Sequence, residues 1–409
     1  MPLVALAALR KPLQRALFAI VVLVIVTSAR RADAYAWMIR HGFTDCQSCH
    51  ADPSGGGVLT RFGRLIGNST LRTLYGSGDT GANDSFLSAV PLPEPVLLGG
   101  DARYFWYTQT SKSPGSTAQS TSDNFLMQAD MTGQVKLWRL RANGSIGYAD
   151  KGARYASITT ATQQNLVSRV HWVGVDLGAN DEVLVRAGRM NLPFGIRSIE
   201  HTLLVRSVTQ TDTNEYQQDG VAVAFNAPHW RGEAMAILGN YQISPDVFRQ
   251  RGYSAYLEYA PLRTLAFGVS SETTHANFDQ LLNTEAIRQN HGVFARYSPW
   301  WPVVFTGEYD ITFTSQPPSA FQGAINKLGF VGMLQGDVEP VQGIHVMATG
   351  EMQAQPTDGG FPSVGGWASA WWFFAPHADV RIDGILQSLP SGAERTTVGS
   401  VILQGHVYL

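Results

Sequence analysis

The sequence predicts an all-β fold, an antiparallel barrel of about sixteen strands behind a short N-terminal segment built around two cysteines. Three observations predict it. From Leu98 onward, runs of roughly ten residues alternate apolar with polar side chains, and no stretch sustains the helical period of about 3.6 residues. The connections between those runs alternate long and short. Five short ones share one chemistry: Ala227-Pro228, Ala260-Pro261, Ser298-Pro299, Glu339-Pro340 and Ala375-Pro376. Proline has a fixed φ and no N–H to give a ladder, so it belongs between strands and not within them.

In chain order, residues 1–34 read as an export signal. Arg10, Lys11 and Arg15 form a basic start, Ala16 to Val26 is apolar, and Ala32-Asp33-Ala34 offers a small-x-small cleavage site before Tyr35. The apolar run falls short of the roughly 20 residues a spanning helix needs. Arg30 and Arg31 directly after it keep an uncleaved anchor as the alternative. With 15% charged residues, a net charge of −2, 41 glycines and 11% aromatics, the chain suits neither a nucleic-acid binder nor a disordered protein.

The only two cysteines stand in Cys46-Gln47-Ser48-Cys49-His50. This is the spacing of a c-type haem attachment site: two thiols add across the haem vinyl groups, and the adjacent imidazole becomes the proximal iron ligand. One motif predicts one covalent haem c. A disulfide, a redox pair or half a zinc site are the alternatives in an exported chain, but each leaves His50 without a role, and only His41 is near enough to extend a zinc set. The segment 35–67 is small for a free-standing cytochrome, so the haem would staple it. Pro53-Ser54-Gly55-Gly56-Gly57 reads either as a tight reversal against the haem edge or as a flexible exit linker. Arg61 and Arg64 are candidate partners of the haem propionates, or else ordinary surface arginines. His41 is the first candidate for the distal ligand, Met38 is the nearest thioether, and His345 with Met347 fall together on one polar strand face. A histidine ligand lowers the potential relative to methionine, and an open five-coordinate iron is the remaining option.

After a linker over 68–97, the barrel occupies 98–409. Its strands are expected at 98–109, 124–136, 138–149, 166–177, 182–190, 219–227, 230–240, 251–260, 263–273, 290–298, 301–311, 326–338, 341–353, 364–374, 377–387 and 397–408. In Asn124 to Leu137 one face carries Phe125, Met127, Ala129, Met131, Val135 and Leu137, and the other Asn124, Gln128, Asp130, Thr132, Gln134 and Lys136. Such a pattern suits a soluble sandwich as well as a barrel in lipid. The long connections, among them 110–123, 150–165, 191–218, 274–289 and 312–325, alternate with proline turns, and this asymmetry favours a bacterial outer-membrane barrel. Trp230, Trp300, Trp301, Tyr259 and Tyr297 beside the turns form a candidate interface girdle, with Tyr408-Leu409 ending the last strand. Asp130, Glu308, Glu351, Asp379 and Asp383, with Lys136 and Arg381, fall on expected lumen faces. Acidic lining could draw in a cation such as Fe(II), but any water-filled barrel is polar inside. The run Gly188-Arg189 to Pro193-Phe194-Gly195 resembles one in several porins where a strand enters a long loop. Arg197, His201 and Arg206 in that loop suit an anionic ligand, lipopolysaccharide or plain solvation.

The cysteine motif, Pro53 and Leu59-Thr60-Arg61-Phe62-Gly63-Arg64, ahead of the alternating strands, resemble the fused monohaem cytochrome–porins, outer-membrane iron(II) oxidases and their relatives. The insertion Ser54-Gly55-Gly56-Gly57-Val58 departs from that family's spacing and marks a divergent branch. The resemblance implies single-electron transfer across the outer membrane, between an extracellular donor or acceptor such as Fe(II) and periplasmic carrier cytochromes, with the haem segment plugging the barrel. A lumen plug would divide an apolar band roughly 25 Å tall into two shorter electron steps. The alternatives are a solute porin whose haem-stapled plug is structural or a redox-sensitive gate, and a soluble periplasmic haem protein with a β-sandwich.

Overall fold

The computed structural model describes residues 35–409 apart from 82, 88, 160–163, 201, 319–322, 355–361 and 392–393. The export signal and His201 therefore lie outside the described residues. Seventeen strands form one sheet: β1 (Val96–Lys112), β2 (Gln119–Leu137), β3 (Leu140–Tyr148), β4 (Leu166–Val167), β5 (His171–Leu177), β6 (Val183–Met190), β7 (Gln218–Asn226), β8 (Trp230–Gly239), β9 (Arg251–Leu262), β10 (Leu265–Asp279), β11 (Thr284–Tyr297), β12 (Val303–Gln316), β13 (Ile325–Val341), β14 (Ile344–Ala354), β15 (Ser363–Ala375), β16 (Ala378–Ser391) and β17 (Glu394–Tyr408). Neighbours in sequence pair antiparallel, and β1 pairs with β17, so the sheet closes. Both β4 and β5 pair with β3 and together make one span, giving a barrel of sixteen spans. The break in the expected 166–177 strand falls at Arg169, whose backbone N–H donates to Ser145 Oγ while its side chain turns inward to Asp130 and the Asn214 carbonyl.

Alternation divides the barrel wall as expected. On β14, His345, Met347, Thr349 and Glu351 are buried, whereas Val346 and Met352 are exposed. Met131, Val173, Leu334 and Leu386 each exceed 60% exposure. A continuous apolar belt of this kind would be strongly unfavourable in water at about 25 cal/mol per Å², so it faces lipid. Trp230 and Tyr259 pack with ring centroids 4.4 Å apart, and Tyr297, Trp300 and Trp301 stand exposed at the same short-turn end, where a girdle is expected.

Two expectations are corrected. The connections 110–123 and 274–289 are mostly strand, because β1, β2, β10 and β11 continue beyond the apolar belt. There Thr108 pairs with Ser122 at 2.8 Å and Thr110 with Ser120 at 3.1 Å, and with polar residues on the outer face too the alternation signal vanishes. The second correction concerns β2. A register shift at Arg103/Tyr104 leaves Met127 as an extra residue and swaps the faces beyond it. Phe125 consequently stacks on buried Phe105, with centroids 6.2 Å apart, and Asn124 accepts from the exposed Tyr104 hydroxyl at 2.5 Å.

The N-terminal segment enters the barrel at the short-turn end, which is the periplasmic end in barrels of this kind. Trp37, Met38, Ile39 and Leu71 pack on Val304, Met347, Trp371, Phe373 and Tyr408 of the wall. Docking continues into the expected linker: Thr73 N–H donates to the Phe373 carbonyl at 2.9 Å and Tyr75 hydroxyl to the Phe374 carbonyl at 2.8 Å. The long connection 191–217 also folds inward. Its helix α1 (Leu204–Thr209) is too short to show a period in sequence. Leu203 and Val205 bury against Phe294, Val331, Met333, Trp367 and Ile385.

This loop is anchored by Glu200, which accepts from Arg381 at 2.7 Å. Burial pushes the Glu200 carboxyl up, but Arg381 and Ser198 outweigh it and hold the group below its usual 4.5. Its folded pKa is depressed, so the anchoring contribution is complete above about pH 4.5 and is lost as pH falls through the folded value. Limited proteolysis within 191–217 is expected to accelerate on acidification through and below the usual carboxylate range, ahead of loss of the sheet signal in circular dichroism. Unchanged cleavage down to the unfolding of the barrel would refute this anchor.

Candidate functional site

The cysteine motif sits on a compact local fold. His50 N–H donates to the Cys46 carbonyl at 3.0 Å, and His50 bridges to Leu59 across a small reversal in which Ala51 N–H donates to the Val58 carbonyl at 3.0 Å. Gly55 (φ 83°) and Gly57 (φ 71°) supply the left-handed positions, so the glycine run is the tight reversal and not a flexible exit. Thr60 caps the helix α2 (Arg61–Ile66) by accepting from Gly63 N–H, and its hydroxyl donates to the Ser48 carbonyl at 2.7 Å. Gly63 presses on the motif: a Cβ there would lie 2.3 Å from the Cys49 carbonyl oxygen. Gly63→Ala is expected to push α2 away from Cys49 while leaving barrel assembly intact and, if the motif carries covalent haem, to cut its content severalfold, as read by haem stain against total folded protein.

Cys49 and His50 form part of the wall of a cavity of about 190 Å³ between plug and barrel. Met38, Leu59 and Ile66 give it an apolar side, the bare backbone of Gly55 to Gly57 another, and Arg103, Arg169 and Arg197 bring cations. Cys46 and Cys49 are free thiols, so no disulfide joins them. Among the described residues no three histidine, cysteine or carboxylate side chains are grouped as a metal site, which leaves the zinc reading without ligands. Burial pushes His50 down to about 4, which leaves a neutral imidazole of the form able to ligate a metal, and its Nδ1 is buried without a hydrogen-bond partner. The Cys49 thiol and the neutral His50 imidazole at the cavity belong to the donor set a c-type haem requires; Cys46 stands outside the cavity wall, and Arg103, Arg169 and Arg197 are paired with Asp101, Asp130 and Glu233.

The other candidates are distributed differently. Arg61 is exposed and donates to the Leu92 carbonyl at 2.8 Å. Arg64 is buried, donating to the Leu98 carbonyl at 2.5 Å and lying over Phe86. Neither lines the cavity; Arg103, Arg169 and Arg197 do, and no local pattern in the sequence singles out Arg103 or Arg169 for it. His41 points to the short-turn rim, its Nε2 3.2 Å from Glu339 Oε2 and its ring 5.0 Å from Trp301.

Much of the lumen is ion-paired. Plug residue Asp52 accepts from Arg186 and from Trp172 Nε1, each at 2.7 Å; Arg186 also pairs with Glu233, which accepts from loop residue Arg197 at 3.1 Å. Burial pushes Asp52 up, but Arg186 and Ser54 hold it down at about 2. Asp130 pairs with Arg169, Glu308 with Arg206, Asp383 with Arg381, and Asp379 with His406. Glu351 accepts from Trp367 Nε1 at 3.0 Å and Leu204 N–H at 2.9 Å, and Lys136 lies 2.8 Å from Asp176. The expected lumen residues do face inward, but as partners of plug, loop and wall. Arg206 is fully buried on Glu308, and Arg197 also stacks over Tyr256, which corrects both the solvated-loop and the anion-binding readings of these two arginines.

No protein-family model matches this sequence, and no curated protein does. Solved structures do match. The outer membrane channel DcaP of Acinetobacter baumannii aligns with a TM-score of 0.54 and 11% identity over 77% of this chain and 97% of that one. An anion-selective porin from Comamonas acidovorans gives a TM-score of 0.54 and 13% identity over 77% and 99%. OmpT of Vibrio cholerae, in its trimer form, gives 0.54 and 13% over 77% and 99%. The fold is that of the outer-membrane porins. The porin-type barrel, with its apolar belt and aromatic rim, sits in the bacterial outer membrane and meets its lipid directly. At these identities the likeness is one of fold alone.

Proposed function

We propose that this barrel carries one covalent haem c at the plug and passes single electrons between an extracellular donor or acceptor, Fe(II) being one candidate, and periplasmic carriers. The observation that carries the reading is the position of Cys49 and His50 in the wall of a cavity enclosed by plug and barrel. Cys46 and Cys49 would attach the group, His50 would ligate its iron, and its carboxylates would meet Arg103 and Arg169 in competition with Asp101 and Asp130. When bound, the group supplies one-electron redox chemistry. The chain's part is to hold it: the plug is fastened by Asp52 to Arg186, Arg40 to Asp337 and Thr44 to Arg296, and these contacts fix the motif against the wall.

The solute-porin reading has its own support, since the structural neighbours bear the names of a channel and an anion-selective porin, and fold likeness alone favours it. Against an open pore stand the plug and the inward loop, both ion-paired to the wall. Purified protein in liposomes enclosing an oxidised c-type cytochrome distinguishes the two. Electron transfer predicts a c-type spectrum and reduction of the enclosed cytochrome by external Fe(II), with little ion conductance. Large steady conductance without internal reduction would overturn it in favour of the porin.

A further inference from the structure

We propose that the sixth ligand of the iron is Met38, so that both axial ligands come from the plug and none from the barrel. The inference rests on the haem reading above and follows from which soft or nitrogenous donors reach the cavity. Met38 lines it together with Cys49 and His50, and is 1% exposed. It lies in the 3₁₀ turn Ala36–His41, fixed by Met38 N–H to the Tyr35 carbonyl at 2.9 Å and by the packing of its neighbour Trp37 against Tyr35, with rings 4.7 Å apart.

The competing donors either lie outside the cavity wall or are already paired. His41 is on the rim with Glu339 and does not line the cavity. His345 does not line it either; its ring packs 4.1 Å from Trp37, with Nδ1 3.3 Å from Asp337. Met347 shares the apolar cluster of Met38, Trp371 and Phe373 but does not line the cavity. His406 lines the cavity, but Nε2 lies 2.8 Å from Asp101 and Nδ1 2.8 Å from Asp379, so neither nitrogen is available. Tyr35 and Tyr408 also line it, yet a phenol must lose its proton to bind ferric iron, and the Asp379 carboxylate opposes that at both, joined by Asp101 at Tyr35. A neutral thioether needs no such step. Methionine ligation also places the haem at a higher potential than bis-histidine ligation would, which suits acceptance of electrons from a weak reductant.

The test uses the full-length haem-loaded protein. Oxidised wild type is expected to show the sulfur-to-iron charge-transfer absorption. Met38→Leu keeps the core volume, and should retain covalent haem while losing that band, lowering the reduction potential and gaining carbon monoxide binding in the reduced state. Met38→His should also lose the band but stay closed to carbon monoxide. His41→Ala and His345→Leu should keep it. A band absent from haem-loaded wild type, or surviving Met38→Leu, overturns the assignment. Absence of c-type absorbance altogether would instead overturn the haem reading on which it rests.

Discussion

Cys46→Ala/Cys49→Ala protein is expected to reach the outer membrane as a folded barrel and to lack every trace of c-type absorbance and electron transfer. The reasoning is one of separable energetics. The closed ladder from β1 to β17 supplies its own backbone hydrogen bonds and does not pass through the motif. The plug is held mainly by contacts that spare the thiols: Trp37, Met38 and Ile39 in the wall cluster, and Asp52 on Arg186. Removing both attachment atoms therefore abolishes the chemistry without removing the scaffold. Heat-modifiable gel mobility and sheet circular dichroism report assembly, and the reduced spectrum reports haem. Retained redox activity in this variant would end the electron-transfer reading. Loss of assembly would show that the haem is a folding staple for the whole barrel.

Arg186→Ala is expected to release the plug. Arg186 is fully buried, pairs with Asp52 of the plug at 2.7 Å and with Glu233, and lies over the Trp172 ring at 5.3 Å. Removing it leaves two carboxylates in the interior with only Trp172, Ser54 and Arg197 to satisfy them. Breaking a buried pair by deleting one partner typically costs about 3–5 kcal/mol. That cost falls on plug docking more than on the barrel, because the ladder pairing of β6 with β5 and β7 is backbone-borne. Protease cleavage between Tyr35 and Tyr75 should rise by two or more orders of magnitude, at roughly tenfold per 1.4 kcal/mol, and single-channel recordings should show new openings. Unchanged cleavage would mean that the apolar cluster around Trp371 holds the plug unaided.

Much of this architecture is legible in local pattern. The proline turns and the two-residue alternation locate nearly every span, because in a barrel each strand meets lipid on one face and lumen on the other along its whole membrane length. Legibility fails where that contrast disappears. β1 and β10 run on past the apolar belt with polar residues on both faces, the bulge at Met127 exchanges the faces of β2, and Arg169 interrupts a span for the sake of a side chain that turns inward. At the motif, the spacing Cys46-Gln47-Ser48-Cys49-His50 carries its own chemistry, and Gly63 is already visible in the run that follows it. Which arginines approach the cavity is not visible, since Arg103, Arg169 and Arg197 come from β1, the β4–β5 break and the inward loop, far apart in the chain.

By itself, the sequence determined the barrel, its two chemically distinct faces, its orientation by short and long connections, and the expectation of one haem, because each depends on periodicity or on adjacent residues. Only the tertiary structure decided what fills the lumen. The ion ladder from Asp52 through Arg186 and Glu233 to Arg197 joins plug, wall and loop across long stretches of chain. The choice of Met38 over His41 as the residue at the cavity depends on which way a single 3₁₀ turn is packed against Trp371 and Phe373. Such pairings are set by closure of the barrel and the exclusion of water from its interior, and these act between residues with no proximity in sequence.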